Sequence, residues 1–234
     1  MSKRAIIVDD SDLNIQYVGG RWFQDLASPD QVGNLGPTYQ HTLQGTRSSG
    51  SFSFKFEGPS FPLTIVDFVT HPRTGSAVKV FGAAGRRNPA SGDLTWRCSI
   101  DDITIPLFDP PNNGALCEER NLADGPHVIT VDVTQSTGNR TFWFDYLRYI
   151  PSPNVSQDFA YVVVPNADPA IKYGTGWTPL IDLGNRTSTA GAELTFDFIG
   201  MYHNTPHLRD PYRYRDSWYV INRQGDQLGV IRSP

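Results

Sequence analysis

The sequence predicts an all-β fold, an antiparallel β-sandwich, on three observations. Gly 21 and Pro 18 together make up about one residue in six of the 234, against roughly one in eight in average usage. The charged residues are the wrong kind for helices, with 20 Asp against 4 Glu and 16 Arg against 4 Lys, since Glu and Lys favour helix and Asp does not. Apolar and polar residues alternate with period two in several places, and no window sustains the i, i+3, i+4, i+7 spacing of a helix.

The strands come in order along the chain. Ser51-Phe52-Ser53-Phe54-Lys55-Phe56 puts three Phe on one face and Ser, Ser and Lys on the other, the pattern of a strand with one buried face. Segments 77–81, 94–100, 127–133, 141–149 and 194–198 alternate in the same way. Asp101-Asp102 and Asp124-Gly125 supply turns between them. Short strands at such spacing, separated by Gly, Asn and Asp, describe a sandwich.

Residues 1–150 read as one complete module, 151–157 as a linker, and 158–234 as a second, incomplete module. Pro151-Ser152-Pro153-Asn154 has linker composition, and the residues beyond it partly repeat the start of the chain. Asp12-x-x-Ile15-x-Tyr17 with Trp22 corresponds to Asp168-x-x-Ile171-x-Tyr173 with Trp177. Gly45-Thr46-Arg47 ahead of Phe52, Phe54 and Phe56 corresponds to Gly184-Asn185-Arg186 ahead of Leu194, Phe196 and Phe198. Residues 57–73 break the alternation and read as an insertion, and an irregular tail is expected from about 201. Each of these two segments is either an ordinary loop or tail, or in-frame read-through of a short intron.

Charge and hydropathy exclude some partners. A net charge of −4, with no Lys/Arg run longer than two, supplies no field for a polyanion, so nucleic acid is not an expected partner. No apolar stretch approaches the ~18 residues of a membrane span, so no membrane insertion is expected, and no signal-peptide core forms before Asp9-Asp10. Cys98 and Cys117 enclose 18 residues that read as a hairpin and its loop. In an oxidising compartment a bridge there stabilises by about 3 kcal/mol; in cytosol the two are small buried thiols. Asn-x-Ser/Thr sequons at Asn139, Asn154 and Asn185 suit a secreted chain.

Catalytic chemistry finds little support. His41, His71, His127, His203 and His207 are scattered, with no Gly-x-Ser-x-Gly elbow and no zinc-binding His/Cys pattern. Asp9-Asp10 and Asp101-Asp102 are adjacent, and neighbours on a strand point to opposite faces, so adjacency makes no carboxylate dyad. Asp101-Asp102 reads as a turn, and His127 as polar packing at a strand start. No catalytic residue is assigned. Aromatics are plentiful, with five Trp, ten Tyr and thirteen Phe, and an exposed ring can stack on the apolar face of a sugar. Trp22, Trp96 and Trp143 are the candidate ligand contacts, with burial in the core the competing reading for each. Tyr17 and Trp22, repeated as Tyr173 and Trp177, read as packing.

Several stretches together resemble the tandem jelly-roll, galactose-binding-like ectodomain proteins of mushroom-forming fungi, most of them uncharacterised. They include Asp9-Asp10-Ser11-Asp12 with Ile15-Gln16-Tyr17, Ser76 to Gly82, Trp96-Arg97-Cys98-Ser99-Ile100-Asp101-Asp102, Leu116-Cys117-Glu118 and Phe142-Trp143-Phe144-Asp145-Tyr146-Leu147. The resemblance implies two jelly-roll sandwiches and an extracellular or cell-surface location. It also implies that first and last strands meet, with an acidic residue of the last strand helping to hold a structural Ca²⁺. Asp9, Asp10 and Asp145 are the candidate ligands, and hard oxygen donors suit that ion. The alternative places Asp9 to Asp12 in an Asx-type turn.

The expectation is a non-catalytic extracellular module that binds carbohydrate, a cell-wall glycan or a glycoprotein partner. A purely structural surface domain is second. A lyase- or cyclase-type enzyme with a site between the sandwiches is the weakest reading.

Overall fold

In the computed structural model, which describes residues 4–26, 38–58, 76–84, 94–112, 114–123, 125–136, 140–152, 155, 157, 160–180, 184–199, 201–203, 217–221 and 228–229, the alternating segments are strands. The chain divides into two units, Val8–Val155 and Met1–Ile7 together with Ser156–Pro234. The boundary at 155/156 falls inside the expected linker.

The larger unit opens with the end of β1 (Ala5–Asp9), followed by β2 (Gln16–Gly19), β3 (Phe23–Asp25), a 3-10 turn (Tyr39–His41), β4 (Leu43–Thr46) and β5 (Gly50–Gly58). Next come β6 (Ser76–Ala83), β7 (Thr95–Ile100), β8 (Ile103–Thr104), β9 (Leu107–Asn112), β10 (Ala115–Leu122), β11 (Gly125–Thr134) and β12 (Phe142–Tyr149). They form two antiparallel sheets. One has the order β2-β5-β11-β7-β8; the other runs β12-β6-β10-β9, with β4 on β12 and β3 on β4. The long strands β4, β5, β6, β7, β10, β11 and β12 alternate between the two sheets, so each connection between consecutive ones crosses the core, apart from the β8–β9 excursion.

The inner faces result from the alternation. Phe52, Phe54 and Phe56 of β5, Ile129, Val131 and Val133 of β11, and Trp96 of β7 are buried on one side. Phe142, Phe144 and Leu147 of β12 and Val78 and Val80 of β6 are buried on the other. Rings meet across the gap: Phe52 stacks on Phe144 at 4.1 Å between centroids, and Trp96 lies 6.4 Å from Phe142. Each fully buried side chain of this size contributes about 1.5–3 kcal/mol.

Cys98 and Cys117 are bonded, Cα atoms 6.5 Å apart. The bridge does not close a single hairpin, as the sequence led us to expect. Cys98 sits on β7 and Cys117 on β10, strands of opposite sheets, and the intervening residues hold β8 and β9. The disulfide therefore fastens the two layers through the core, where both residues are fully buried.

The C-terminal unit contains β13 (Tyr161–Pro165), β14 (Ile171–Tyr173), β15 (Trp177–Leu180), β16 (Gly184–Thr187), β17 (Leu194–Phe196), β18 (Phe198–Ile199), β19 (Met201–His203), β20 (Ser217–Ile221) and β21 (Leu228–Gly229). Its core is small, formed by Val162, Val164, Ile171, Leu194 and Phe196 with Tyr173 and Trp177 packed against them. Three sequence boundaries change here. Residues 1–7 belong to this unit and not to the first module, because Ala5, Ile6 and Ile7 pair antiparallel with Val163, Val162 and Tyr161. Arg4 adds a two-pronged hydrogen bond to the Asp168 carboxylate, 2.7 and 3.2 Å. The tail expected to be irregular from about 201 contains β19, β20 and β21; Trp218-Tyr219-Val220-Ile221 lacks alternation but is rich in strand-favouring residues, and β20 pairs with β13 along all five residues. Glu57 and Gly58, expected to open an insertion, continue β5 and pair with Pro126 and Gly125; residues 59–75 lie outside the described residues.

The internal repeat is present in hydrogen bonds. Ile15 and Ile171 N–H each donate to the carbonyl of Asp12 and Asp168 at 3.0 Å. Tyr17 Oη donates to Asp10 O at 2.8 Å and Tyr173 Oη to Asn166 O at 2.9 Å. Tyr17 and Trp22 rings lie 5.0 Å apart, Tyr173 and Trp177 5.2 Å. Tyr17 stands opposite Phe52 and Tyr173 opposite Leu194, the equivalence read from sequence. In the next hairpin the register shifts by two. Thr46 and Thr187, not Gly45 and Gly184, are the matching pair, and each accepts a hydrogen bond on Oγ1 from the backbone N–H two residues on, at 3.1 Å.

Replacing both Cys98 and Cys117 with Ala is expected to lower the stability of the larger unit by about 3 kcal/mol, read as a shift in the urea midpoint. An unshifted midpoint would show that the bridge adds nothing to the packed layers.

Candidate functional site

β1 ends at Asp9 because the chain turns there: Asp12 N–H donates to Asp9 O at 3.1 Å. Strand alternation stops with the strand, so Asp9 and Asp10 do not point to opposite faces as adjacency on a strand would require. Both reach the hydroxyl of Thr42, whose Oγ1 lies 2.5 Å from Asp10 Oδ1 and 3.4 Å from Asp9 Oδ2. With one proton to give, Thr42 donates to Asp10. Ser11 donates its hydroxyl to Asp9 Oδ2.

Asp145 of β12 joins them. Its carbonyl accepts the Asp10 N–H at 3.0 Å, and its Oδ1 accepts the Tyr39 N–H at 2.9 Å. Tyr39 is presented by the tight turn before β4, in which Gln40 and His41 have φ of 49° and 60°, the left-handed region that few non-glycine residues adopt.

Burial is the leading influence on all three acids. It pushes Asp10, 0% exposed, up to about 7, with the neighbouring Asp9 charge adding to it. Burial raises Asp9 as well. It holds Asp145 well above the carboxylate range, the Tyr39 N–H opposing and the Asp10 and Asp9 charges reinforcing the rise. Asp9 Oδ1 and Asp10 Oδ2 are buried with no hydrogen-bond partner. Orphaned carboxylate oxygens in a site of accumulated negative charge fit a hard cation or a retained proton. Among the described residues no three His, Cys, Asp or Glu converge as a ready cage, so an ion here would take Asp9 and Asp10 oxygens and complete its shell with neutral ones.

The aromatic candidates separate. Trp96 is 2% exposed and belongs to the core. Trp22 is half-buried between Tyr17, Phe52 and Phe142, 5.0, 6.0 and 6.4 Å away. Trp143 points out of the sandwich, since its neighbours Phe142 and Phe144 point in. It lies over Gly45, directly opposite on β4, where a Cβ would stand 2.4 Å from Cζ3 and 2.6 Å from Cε3. Phe23 of β3, opposite Gly45 on the other side, meets Trp143 edge to face at 5.4 Å and is 36% exposed. The Arg47 guanidinium lies 5.8 Å from the Phe23 ring centre. Phe23, Gly45 and Arg47 were not singled out from sequence; their alignment across β3, β4 and β12 is a matter of register.

His127 and Asp101 form the pair that most looks catalytic, with Nδ1 2.6 Å from Asp101 Oδ2. Nε2, however, lies 2.8 Å from the Ala123 carbonyl, so both ring nitrogens are engaged by the protein. Asp101 and Asp102, φ 48° and 67°, form the turn between β7 and β8, with left-handed conformation at both positions as tight hairpins require.

The ladders and packed inner faces define the class: an antiparallel all-β sandwich. No protein-family model and no curated protein matches the chain. Among solved structures it is similar to one described as the crystal structure of the Agl-KA catalytic domain, at 12% identity, over 75% of this chain and 32% of that chain, with a TM-score of 0.34. The chain thus spans about a third of that structure's length, and at this score the likeness carries no argument about activity.

A carboxyl whose folded pKa is raised holds its proton more tightly folded than unfolded, so its contribution to stability falls as pH rises toward the folded value. With a chelator present, stability is expected to decline between about pH 4 and pH 7, and Asp10→Asn, which keeps an acceptor for Thr42, should flatten that decline. Equal slopes in urea titrations of the two proteins would assign the effect elsewhere.

Proposed function

We propose that the chain is a non-catalytic extracellular or cell-surface module of the jelly-roll, galactose-binding-like kind, binding carbohydrate or a glycoprotein through its larger unit. The observation that carries this reading is the Trp143–Phe23 pair. These rings lie on the outer face of the sheet, where the core makes no use of them, and an outward aromatic is suited to the apolar face of a pyranose. The acids support a non-catalytic role, because Asp9 and Asp10 are buried and Asp145 is half-buried with its carboxylate bonded to the Tyr39 N–H. The buried disulfide supports an oxidising compartment.

The same reading gives the acid cluster a structural calcium ion, held by Asp9 and Asp10 oxygens and neutral ones, with Asp145 beside it. Bound there, the ion supplies positive charge to an acid cluster that otherwise keeps protons. Thr42 and Ser11 orient the first two carboxylates, and the Tyr39 N–H orients the third.

Two measurements test the proposal. Calcium is expected to raise the melting temperature of the full chain and a chelator to reverse the gain, with Asp9→Asn/Asp10→Asn insensitive to both; a melting temperature indifferent to calcium would leave the cluster to its protons. On a glycan array the chain should retain a subset of plant or fungal glycans. Silence across the array would favour the second reading, a structural surface domain without a small ligand.

A further inference from the structure

We infer that the outer face formed by Trp143, Phe23 and Arg47 takes an acidic sugar, a pyranose carrying a carboxylate; this rests on the carbohydrate reading above and adds the ligand class and the place. The first argument comes from the repeat. Residues shared by the two copies, such as Tyr17 with Tyr173, Trp22 with Trp177 and Thr46 with Thr187, make the same packing and turn contacts in both. The ladders equate Phe23 with Thr178, Gly45 with Arg186 and Arg47 with Ser188. The hairpin therefore forms without Phe23, Gly45 and Arg47, and their occurrence in one copy marks a property of that copy.

The second argument is shape. Gly45 leaves bare backbone between two aromatic side chains, and Trp143 Cζ3 and Cε3 occupy the space a Cβ would need. A ring packed this closely against backbone has little rotamer freedom left to lose on binding.

The third is charge. Arg47 donates from Nε to Thr141 Oγ1 at 3.1 Å, which fixes the guanidinium plane and, among the described residues, engages none of its Nη–H donors, the pair that grips a carboxylate bidentately. Arg21 and Arg140, both exposed, sit on loops tied to the Arg47 loop. Arg21 N–H donates to Ser48 Oγ at 2.9 Å, Ser49 and Gln135 exchange two hydrogen bonds, and Gln135 Nε2 donates to Arg140 O at 2.6 Å. The loops that carry Arg21, Arg47 and Arg140 thus meet at one end of a unit within a chain of net charge −4. Asp25 lies two residues beyond Phe23 along β3, on the opposite side from the arginines. The ligand carboxylate is directed to Arg47 and away from Asp25.

The test is calorimetric titration of the full chain with trimers of galacturonate, mannuronate and glucuronate, each against its methyl ester, which keeps the ring and removes the charge. At least one acid is expected to bind about tenfold tighter than its ester, with the advantage shrinking in high salt. Arg47→Gln, a surface change, should abolish the preference, and Trp143→Ala should remove binding. Gly45→Arg, which installs the second copy's residue where the indole lies, should do the same and guards against a misfolded Trp variant. Equal affinity for acid and ester, or a preference that survives Arg47→Gln, overturns the acidic-sugar inference. Glycan binding untouched by Trp143→Ala and Gly45→Arg overturns the location and leaves the carbohydrate reading standing. Silence toward every glycan removes both.

Discussion

The larger unit depends on a change of phase in β12. Phe142 and Phe144 face the core, and so does Leu147, an odd spacing that an uninterrupted strand cannot produce. The register against β6 shifts between Phe144 and Tyr146, a bulge that gives Asp145 a place outside the alternation. Three consequences meet there. Apolar residues on both sides of the bulge remain inward, the Asp145 carbonyl accepts the Asp10 N–H, and its carboxylate accepts the Tyr39 N–H. Gly82, opposite Phe144 on β6, makes room for the close approach, since a Cβ there would lie 2.1 Å from the Trp143 carbonyl oxygen.

The internal duplication separates structural demand from specificity without recourse to any other protein. The recurring features are the Asp-initiated turn, the tyrosine hydroxyl bonded back to the chain seven residues earlier, the Tyr–Trp contact and the Thr-anchored turn after the hairpin. All are local solutions to starting a strand, folding it back and covering its end with an aromatic ring. The composition of the outer face does not recur. A duplicated scaffold that keeps its turns and changes its surface behaves as expected where turns hold the fold and surfaces meet ligands.

β5, β6, β7, β11 and β12 were legible because each buries one face and so obeys period two, whereas exposed β2 and β3 carry no such pattern; 51–56 and 127–133 needed nothing more. The partial repeat was legible for a related reason, as its residues make contacts within about ten positions. Features set by distant pairing were not legible. The Cys98–Cys117 link between sheets, the docking of Ala5–Ile7 on β13 and the placement of Phe23 beside Trp143 depend on which strands become neighbours, which alternation does not encode. β20 escaped because it carries strand propensity without a polar face. The bulge at Asp145 escaped because its flanks read as one strand, so the three aspartates could be grouped only through the family resemblance, and the Thr42 hydroxyl that Asp9 and Asp10 both approach had no signal at all.

The aspartate cluster shows why burial and charge have to be considered together. Three carboxylates cannot all remain ionised in so confined a site without compensation, because each loses hydration and then repels the others. Among the described residues the neighbouring donors are few: the hydroxyls of Thr42 and Ser11 and the backbone N–H groups of Ser11 and Tyr39. They satisfy part of the acceptor capacity and leave an oxygen on Asp9 and another on Asp10 orphaned. Substituting hydrophobic residues would be the simplest remedy if the site served packing alone, since buried polar groups lacking partners cost stability. Compensation comes from protons held by the raised carboxyls, or from the divalent cation proposed above. Either acts where the Asp10 N–H meets the Asp145 carbonyl, the junction of the strand end with the bulge, and so on the stability of the sandwich.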